Sequence, residues 1–468
     1  MNTSANETKK RTSTLAVNLS FAALLLGLLM AQLDTNIVVA ALPVVSQDLH
    51  LGAGVAGVTA STLLTVTVFT PVWGKLGDVL GRRFTFVTSV LIFGLASLLC
   101  AVAPSVAVLI AGRALQGIGA GGLIVTAVSG VAVIFDREEL VRRQIWVTLV
   151  FGISSLAGPP AGGFMASAWG WRSIFYVNLP ICVIALLVGV WGLPKEPSRG
   201  SLKRFDYPGA LAIAVAGSAL VGVGSSSTIA RTPAYAVPLV VVMVLALVFL
   251  VWRERRAPEP LIPPSVFRIK ALRETLVTTL LIGITLFGTF TFVPLALHTG
   301  ASVTTEAVGA MLLALTIGQL VIVLFFSVLV RRNRNLAAWT VLSLVMGVVG
   351  LALLTVLPLL PHAAAIPVAV VGLALAGAAL GLSLQVLTLI GQATAAPEQI
   401  GQVMGTITFT RQLGGAVGAA GFGWIVLLAP DGAAAPAVVL GIAAVLLMTA
   451  FLSRPREIPE LKGDGGGW

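Results

Sequence analysis

The chain has 468 residues, of which 57% are apolar and only 10% are charged, and its mean hydropathy is +1.01. Soluble globular chains average about 45–50% apolar and about 25% charged residues, so these few charges cannot cover a water-exposed surface of this size. The same figures exclude a disordered chain, and the presence of only two cysteines excludes a disulfide-rich secreted scaffold. The composition predicts an integral membrane protein.

Apolar runs long enough to cross a bilayer recur along the whole chain. A helix needs about 20 apolar residues to cross the hydrocarbon layer. Charged residues and Pro/Gly clusters divide the sequence into fourteen such runs: 14–42, 54–73, 84–103, 105–134, 144–167, 173–193, 207–229, 235–252, 274–297, 307–330, 336–358, 364–395, 400–429 and 433–453. The connections between them are too short to hold a soluble domain. We therefore predict an all-α membrane protein with fourteen transmembrane helices.

The basic residues are distributed very unevenly between the two sides of these spans. If successive spans alternate in direction, 25 of the 29 Lys and Arg residues fall on the side of the N-terminus, and only Arg172 and Arg231 fall on the other. Basic loops stay in the cytoplasm, so we expect both termini to be cytoplasmic in a multi-pass protein of the cell membrane. The net charge of +11 then reflects topology and affinity for the lipid bilayer, and we expect no nucleic-acid partner.

Two charged residues occupy apolar runs at matching depths. Asp34 precedes the outer end of the first run by eight residues, and Arg113 follows the outer start of the fourth run by eight, so both lie about 12 Å below the outer surface. A carboxylate at such a position costs roughly 2.5–3.5 kcal/mol on insertion scales, which favours a functional role. A purely structural ion pair is the alternative that the sequence leaves open.

The chain carries one deeply buried carboxylate and a further buried cation, Arg411, in the thirteenth run. Burial disfavours the charged form of an acid, whereas a nearby arginine or a cationic substrate favours it. A single acid balanced in this way can take up a proton from one side and release it when substrate arrives. Monovalent cations, zwitterions and neutral amphiphiles suit such a site better than dications, and we expect Arg411 to bond backbone carbonyls or a substrate.

Two further segments have compositions typical of moving parts. The short turn GKLGDVLGRR, residues 74–83, could place Asp78 at the amino end of a neighbouring helix, where a negative charge is favoured, and so close the cytoplasmic side. A plain positive-inside turn is the alternative. In the fifth run, GPPAGG at 158–163 predicts a kinked, closely packed helix at a seam between moving halves, although a simple packing kink explains it as well.

The sequence gives little support to nucleotide binding, metal binding or catalysis. GIGAGG at 117–122 matches the dinucleotide-binding fingerprint, but it lies inside an apolar run without a preceding strand, so we interpret the glycines as helix-packing residues. The three histidines fall at separate outer loops or helix ends, and we predict no metal site. There is no phosphate-binding loop for ATP and no convergent catalytic set, so we expect neither a pump driven by ATP nor an enzyme. The single titratable site and helix kink favour alternating access over a channel.

Together these motifs resemble the Major Facilitator Superfamily, and specifically its fourteen-helix drug:proton antiporter branch. GKLGDVLGRR is similar to the superfamily's signature between helices 2 and 3, and Arg113 with Gly117 resembles its helix 4 motif. GPPAGG resembles the helix 5 motif of antiporters. LDTNIVVAALP at 33–43 and WRSIFYVNLP at 171–180 are similar to motifs of the branch in helices 1 and 6, although Asn36 and Val39 depart from the helix 1 pattern.

The resemblance implies two six-helix bundles with two helices inserted between them, rocking around a central cavity. The expected domains are an N-terminal bundle over 1–193, a linker with two extra helices over 194–272, a C-terminal bundle over 273–453 and a cytoplasmic tail over 454–468. Asp34 and Arg113 are the expected proton-coupling residues. The expected gating residues are Gly74, Asp78, Gly81, Arg82, Arg83, Gly158, Pro159, Pro160, Gly162 and Gly163. Polar or aromatic character at mid-span gives the substrate-site candidates, each of which could instead serve helix packing: Gln32, Asn36, Thr65, Gln116, Phe287, Phe290, Gln319, Gln385, Thr408 and Arg411.

These expectations combine into one functional hypothesis with one alternative. The first is a monomeric exporter that exchanges protons for hydrophobic or monocationic drugs and toxic compounds, with the proton gradient as energy source and no cofactor. Such a protein would contribute to antibiotic resistance. The alternative keeps the scaffold and transports a lipid or an amphiphilic metabolite. The sequence leaves substrate and proton stoichiometry undecided.

Overall fold

The computed structural model describes residues 2–49, 55–135, 137–195, 206–225, 236–257, 260–262, 264–287, 305–330, 335–428 and 435–455. Within these ranges the regular secondary structure is helical. The chain forms two compact units. Unit 1 comprises Met1–Ala210 and Ala396–Gly405, and unit 2 comprises Leu211–Ala395 and Thr406–Trp468.

Unit 1 is built from long helices separated by short turns. Its helices are α1 Asn2–Asp48, α2 Val55–Leu80, α3 Arg82–Ala101, α4 Val106–Ile134, α5 Arg137–Trp169, the single turn α6 Ser173–Tyr176 and α7 Asn178–Gly192. α1 packs against α4, α5 and α7, while α4 packs against α2 and α3. α4 is therefore the most enclosed helix of this unit, and most of its length is buried.

The helices of unit 2 begin with α8 Tyr207–Ser225, whose first turn belongs to unit 1. They continue with α9 Ala236–Glu254, α10 Pro264–Arg268, α11 Lys270–Ile282 with its π-helical extension Gly283–Phe287, α12 Thr305–Leu329, α13 Leu336–Thr355, α14 His362–Thr394, α15 Ile400–Leu428 and α16 Ala435–Ser453. The first residues of α15 pack with unit 1. α14 packs against α11, α12 and α13.

Nine helical segments of the described chain are long and apolar enough to cross a membrane. They are Ala16–Val38, Val58–Leu80, Arg82–Ala101, Val106–Ile134, Ile145–Trp169, Ser173–Gly192, Val237–Glu254, Leu336–Leu359 and Ala364–Thr394. Shorter apolar helices cover Tyr207–Ala219, Leu313–Phe326 and Val438–Ser453. The all-helical membrane fold agrees with the sequence analysis. The count of fourteen spans and the inserted pair stay predictions, because parts of several predicted spans lie outside the described residues.

Glycines determine how closely the helices of unit 1 approach one another. A Cβ on Gly117 would collide with the Thr65 hydroxyl of α2, and a Cβ on Gly119 would lie 2.8 Å from the Phe93 backbone nitrogen of α3. Small residues permit such close contacts between membrane helices. The glycines of GIGAGG therefore pack α4 against two neighbours, in agreement with their interpretation as packing residues.

The turn between α2 and α3 depends on Gly81. Its φ is +89°, a conformation that residues with a side chain rarely adopt. Gly81 is thus the single residue between the end of α2 at Leu80 and the start of α3 at Arg82.

The GPPAGG segment lies within α5, which runs as one helix from Arg137 to Trp169 and includes both prolines, Pro159 and Pro160. A Cβ on Gly158 would lie 2.5 Å from the Cβ of Asn36, and a Cβ on Gly162 would collide with the backbone of Ile37. These two glycines pack α5 against α1 inside unit 1, whereas a Cβ on Gly163 would meet nothing within 4 Å. The predicted role at a moving seam is not tested by these contacts.

Candidate functional site

An ion pair is buried in the middle of unit 1. Arg113 of α4 donates from Nη1 to Oδ2 of Asp34 on α1 over 2.5 Å, and each side chain is only 1% exposed. The depth estimate from the sequence placed both residues in one layer, and the packing of α1 against α4 brings them into contact. A buried pair without full hydrogen bonding would be costly, so the remaining polar partners of the two groups matter.

Three amide and hydroxyl side chains surround the pair. Gln116 accepts from Arg113 Nη1 at 2.6 Å and donates from Nε2 to Asp34 Oδ1 at 2.7 Å. Asn178 of α7 donates to the same Oδ1 at 2.9 Å. Ser97 of α3 accepts from both amides, at 2.9 Å from Gln116 and 3.3 Å from Asn178. Asp34 therefore accepts three hydrogen bonds from three different residues of two neighbouring helices.

The arginine side of the network is less completely bonded. Arg113 Nε is buried and has no hydrogen-bond partner among the described residues. The Arg113 guanidinium carbon lies 5.9 Å from the centre of the Phe175 ring, within range of a cation–π contact. Cys100 Sγ lies 3.9 Å from Gln116 Oε1. Arg113 Nη1 therefore has two acceptors, Asp34 Oδ2 and Gln116 Oε1, and it can keep the second when the first is lost.

Only part of this network is predicted from the sequence. Asp34, Arg113 and Gln116 are among the predicted site residues, whereas Ser97 and Asn178 are not. Asn178 lies in the WRSIFYVNLP segment, where a polar side chain at the start of an apolar run was an available signal. Ser97 is a single hydroxyl in an apolar run, and nothing in the sequence distinguishes it from the many serines that bond their own helix.

Three other candidates on α1 and α2 lie outside the network. Asn36 donates to the Gln32 carbonyl at 2.9 Å, and Thr65 bonds the carbonyls of Ser61 and Thr62. These side-chain bonds stay within one helix. The Gln32 and Asn36 side chains are half-buried.

A second cluster joins Asp78 near the end of α2 to the start of α15. Asp78 Oδ1 accepts from Arg82 Nη2 and from the Gly401 backbone nitrogen, each at 2.9 Å, and Oδ2 accepts from the Gln402 backbone nitrogen at 2.8 Å. Asp78 thus accepts from two backbone N–H groups in the first turn of α15, as expected for a carboxylate at a helix amino end. Gly74 supports this contact, because a Cβ there would collide with the Gly401 carbonyl oxygen.

The remaining residues of the turn have different environments. Arg82 is buried beside Asp78, whereas Arg83 is half-buried. Gly81 provides the backbone conformation described above.

The opposite end of unit 1 is tied by Asp48 at the end of α1. Its Oδ2 accepts from Trp171 Nε1 at 2.8 Å and from Arg172 Nη1 at 2.9 Å. Arg172 also donates to the Ala103 carbonyl at 3.1 Å. The sequence analysis assigned Arg172 to an outer loop but did not predict these contacts.

The substrate-site candidates of unit 2 have separate environments. A Cβ on Gly381 would lie 2.8 Å from Gln319 Cγ, so Gln319 packs α12 against α14. Gln385 and Thr408 are buried. Arg411 lines a small cavity on α15. Phe290 and the side chain of Phe287 lie outside the described residues.

The chemistry available in the described residues is proton binding and polar recognition. No group of three or more His, Cys, Asp or Glu side chains is placed to hold a metal ion in the part of the chain that the structure describes. Asp34 is the one acid in the unit 1 network, and each group bonded to its carboxylate donates a hydrogen bond to it.

Comparison with known proteins relates the chain to membrane transporters. Residues 24–419 match the sequence profile of the Major Facilitator Superfamily. The uncharacterised MFS-type transporter Rv1877 of Mycobacterium tuberculosis is 34% identical over 413 residues, which are 87% of this chain but 59% of that protein. This chain therefore spans less than two thirds of that relative.

Two further likenesses concern proteins with more informative names. The multidrug resistance protein Stp of Mycobacterium tuberculosis is 30% identical over 402 residues, 85% of this chain and 74% of that protein. The crystal structure of the human organic anion transporter MFSD10 superposes with a TM-score of 0.71 over 93% of this chain and 99% of that chain, at 16% identity. At this low identity, the similarity to MFSD10 shows a shared fold alone.

Proposed function

Since the chain belongs to the Major Facilitator Superfamily, whose members are transporters and not enzymes, we propose that it is a proton-coupled exporter of hydrophobic or monocationic compounds. In this proposal a proton moves inward for each substrate molecule moved outward. The names of relatives such as Stp support a drug-like cargo. The Asp34–Arg113 pair is the observation that carries the proposal, because it supplies one buried group that can bind a proton.

The network suggests how a proton could be bound and released. In the ionised form, Asp34 accepts from Arg113, Gln116 and Asn178. A proton that binds at Oδ2 replaces the Arg113 donor, and Arg113 keeps its bond to Gln116 Oε1. Protonation therefore removes the ion pair between α1 and α4 and leaves the Gln116–Asp34 hydrogen bond as the direct link between the two helices. We propose that this local change favours the state that releases or accepts substrate.

The Asp78 cluster is our candidate for the cytoplasmic gate. Two of its three hydrogen bonds join Asp78 of α2 to the first turn of α15, more than 300 residues away in the sequence, and the third joins it to Arg82 of α3. A charge-assisted bond contributes about 1.5–3 kcal/mol, which is enough to bias an equilibrium between two conformations. We propose that breaking these bonds opens the cytoplasmic side, and that GPPAGG on α5 allows the accompanying movement.

We place the protein in the plasma membrane as a monomer with both termini in the cytoplasm. The support for this orientation is the distribution of Lys and Arg, of which 25 of 29 lie on one side of the predicted spans. Labelling of single cysteines introduced into the polar turns with an impermeant reagent tests the orientation. Preferential labelling of the basic turns from outside intact cells would contradict it.

Proton movement in proteoliposomes tests the function. The purified protein is reconstituted with an internal pH dye, and lipophilic cations and neutral drugs are added one at a time. Antiport predicts a pH change that depends on substrate and disappears in Asp34→Asn. Because removal of one partner leaves Arg113 buried and unpaired, the double variant Asp34→Asn/Arg113→Gln serves as the matched control for folding.

The outcomes separate the parts of the proposal. Proton flux in the wild type and none in either variant supports antiport through Asp34. Flux that persists in a well-folded Asp34→Asn variant contradicts the role of Asp34. Silence of the wild type with every drug contradicts drug antiport and directs the search to a lipid or an amphiphilic metabolite.

A further inference from the structure

We propose that the cavity beside Arg411 in unit 2 binds an anionic group of the substrate, so that the cargo includes organic monoanions such as amphipathic carboxylates. The inference rests on the proposed function and adds a class of substrate to it. It departs from an expectation based only on Asp34, which favours monocations.

The cavity combines one guanidinium with hydroxyl groups. Its volume is about 10 Å³, so it has room for one small polar group and not for a whole drug-like molecule. Its wall consists of eight residues from α11, α14 and α15, four of them polar and four apolar: Thr279, Ile282, Ser383, Leu384, Leu387, Thr388, Ile407 and Arg411. The lining contains no carboxylate.

Two of the four polar side chains that line the cavity are donors without an acceptor in the described part of the chain. No ion pair or side-chain hydrogen bond joins Arg411 to any described residue. Thr279 is 2% exposed, and its hydroxyl has no hydrogen-bond partner in the described part of the chain. Buried polar groups without partners are rare in folded proteins, and each one calls for an explanation. An anion next to both groups would accept from each.

The other two hydroxyls are already engaged as donors. Ser383 donates to the Leu380 carbonyl at 2.9 Å, and Thr388 donates to the Leu384 carbonyl at 2.6 Å. Arg411 and Thr279 are therefore the groups with donors to offer. A cationic substrate would be repelled by Arg411, since like charges in a low-dielectric site interact strongly.

The backbone around Arg411 is held closely against α11. A Cβ on Gly283 would lie 2.5 Å from the Arg411 carbonyl oxygen and 3.0 Å from Gly414 Cα. A Cβ on Gly414 would lie 2.6 Å from the Leu280 carbonyl oxygen. These glycine contacts fix the part of α15 that carries Arg411 beside the part of α11 that carries Thr279. The two donors are thus positioned by the fold before a ligand arrives.

An anionic cargo has a measurable electrical consequence. When one proton enters for each monoanion that leaves, both movements carry positive charge inward, and two charges cross per cycle. Exchange of one proton for one monocation is electroneutral. A membrane potential that is negative inside should therefore accelerate export of an anion and have no effect on 1:1 export of a cation.

Binding to three fluorescent compounds of similar size tests the inference without requiring transport. They are dansylglycine, which is an anion, its neutral amide, and dansylethylenediamine, which is a cation. The wild type should bind dansylglycine at least about tenfold more tightly than Arg411→Gln does, the loss expected for one charge-assisted hydrogen bond. Thr279→Val should weaken the same ligand, and Arg411→Lys should restore part of the affinity. Binding of the cation should not weaken in Arg411→Gln.

Equal affinity of wild type and Arg411→Gln for dansylglycine would overturn the inference, provided that thermal unfolding shows both to be folded. No binding of the anion to the wild type would overturn it as well. The proposed function fails separately, when no compound drives proton flux in proteoliposomes. If the anion is transported, a potassium gradient with valinomycin should increase its flux, and an unchanged flux would contradict the charge arithmetic.

Discussion

Asp78→Asn tests the proposed cytoplasmic gate. In the wild type both carboxylate oxygens are occupied: Oδ1 accepts from Arg82 and the Gly401 nitrogen, and Oδ2 from the Gln402 nitrogen. The side chain is only 6% exposed, so water replaces these bonds poorly. Asparagine has one acceptor oxygen and an amide that donates, so at least one backbone N–H of α15 loses its partner.

The expected size of the effect follows from these contacts. Loss of one hydrogen bond to a charged group costs about 1.5–3 kcal/mol, and loss of a negative charge at a helix amino end costs about 0.3–1 kcal/mol. The lower values sum to about 2 kcal/mol. An equilibrium between closed and open forms would shift about 30-fold toward the open form.

Alkylation of a reporter cysteine measures this shift. Gln402→Cys is introduced into a Cys100→Ala/Cys182→Ala background, and its rate of reaction with N-ethylmaleimide is compared with and without Asp78→Asn. The side chain of Gln402 is 5% exposed, so reaction requires opening of the contact. The rate should rise about 30-fold in Asp78→Asn.

Glu139→Gln is the matched control, because it makes the same change of acid to amide outside the Asp78 cluster. Glu139 pairs with Arg143 one turn along α5, and their side chains are 43% and 29% exposed. Exposed pairs of this kind contribute about 0.3–0.5 kcal/mol, so the reporter should react within about threefold of its original rate. If Asp78→Asn reacts no faster than Glu139→Gln, the Asp78 cluster does not hold the gate.

Three further substitutions test the packing and the polar network. Gly162→Ala would place a methyl group against the Ile37 backbone and should lower the free energy of unfolding by about 1–3 kcal/mol, whereas Gly163→Ala, with no neighbour within 4 Å, should change it by less than about 0.5 kcal/mol. Thermal unfolding in detergent compares them, and equal effects would refute the described α1–α5 contact. Asn178→Leu removes a donor to Asp34 and should reduce substrate-driven proton flux at least tenfold in proteoliposomes; an unchanged flux would exclude Asn178 from the mechanism.

The sequence identified Asp34 and Arg113 as charged residues at matching depths but left open whether they touch. A charge inside an apolar run is unusual, and counting residues from the predicted outer ends of the spans gives its depth. Asp34 and Arg113 satisfy both criteria, and the structure joins them. Asp78 was similarly conspicuous, as an acid among arginines and glycines, and helix-end electrostatics identified a plausible type of partner.

The partners themselves could not be predicted in the same way. Which helix faces which is determined by packing, and a hydroxyl such as Ser97 becomes part of the network only because α3 and α7 converge there. The amino end that Asp78 binds begins 322 residues later in the chain, and no local pattern marks it. Gln319 packs beside Gly381, and this contact does not test its place among the substrate-site candidates.

A comparison of two transport modes tests the role of Asp34 most directly. Wild type and Asp34→Asn are reconstituted with a substrate that drives proton flux in the wild type. Uphill accumulation driven by a pH gradient is measured beside exchange of labelled for unlabelled substrate at equal pH. We predict that Asp34→Asn loses accumulation and keeps exchange, because cargo binding survives while proton binding does not. Accumulation at the wild-type level in Asp34→Asn would contradict the assignment of proton coupling to this residue.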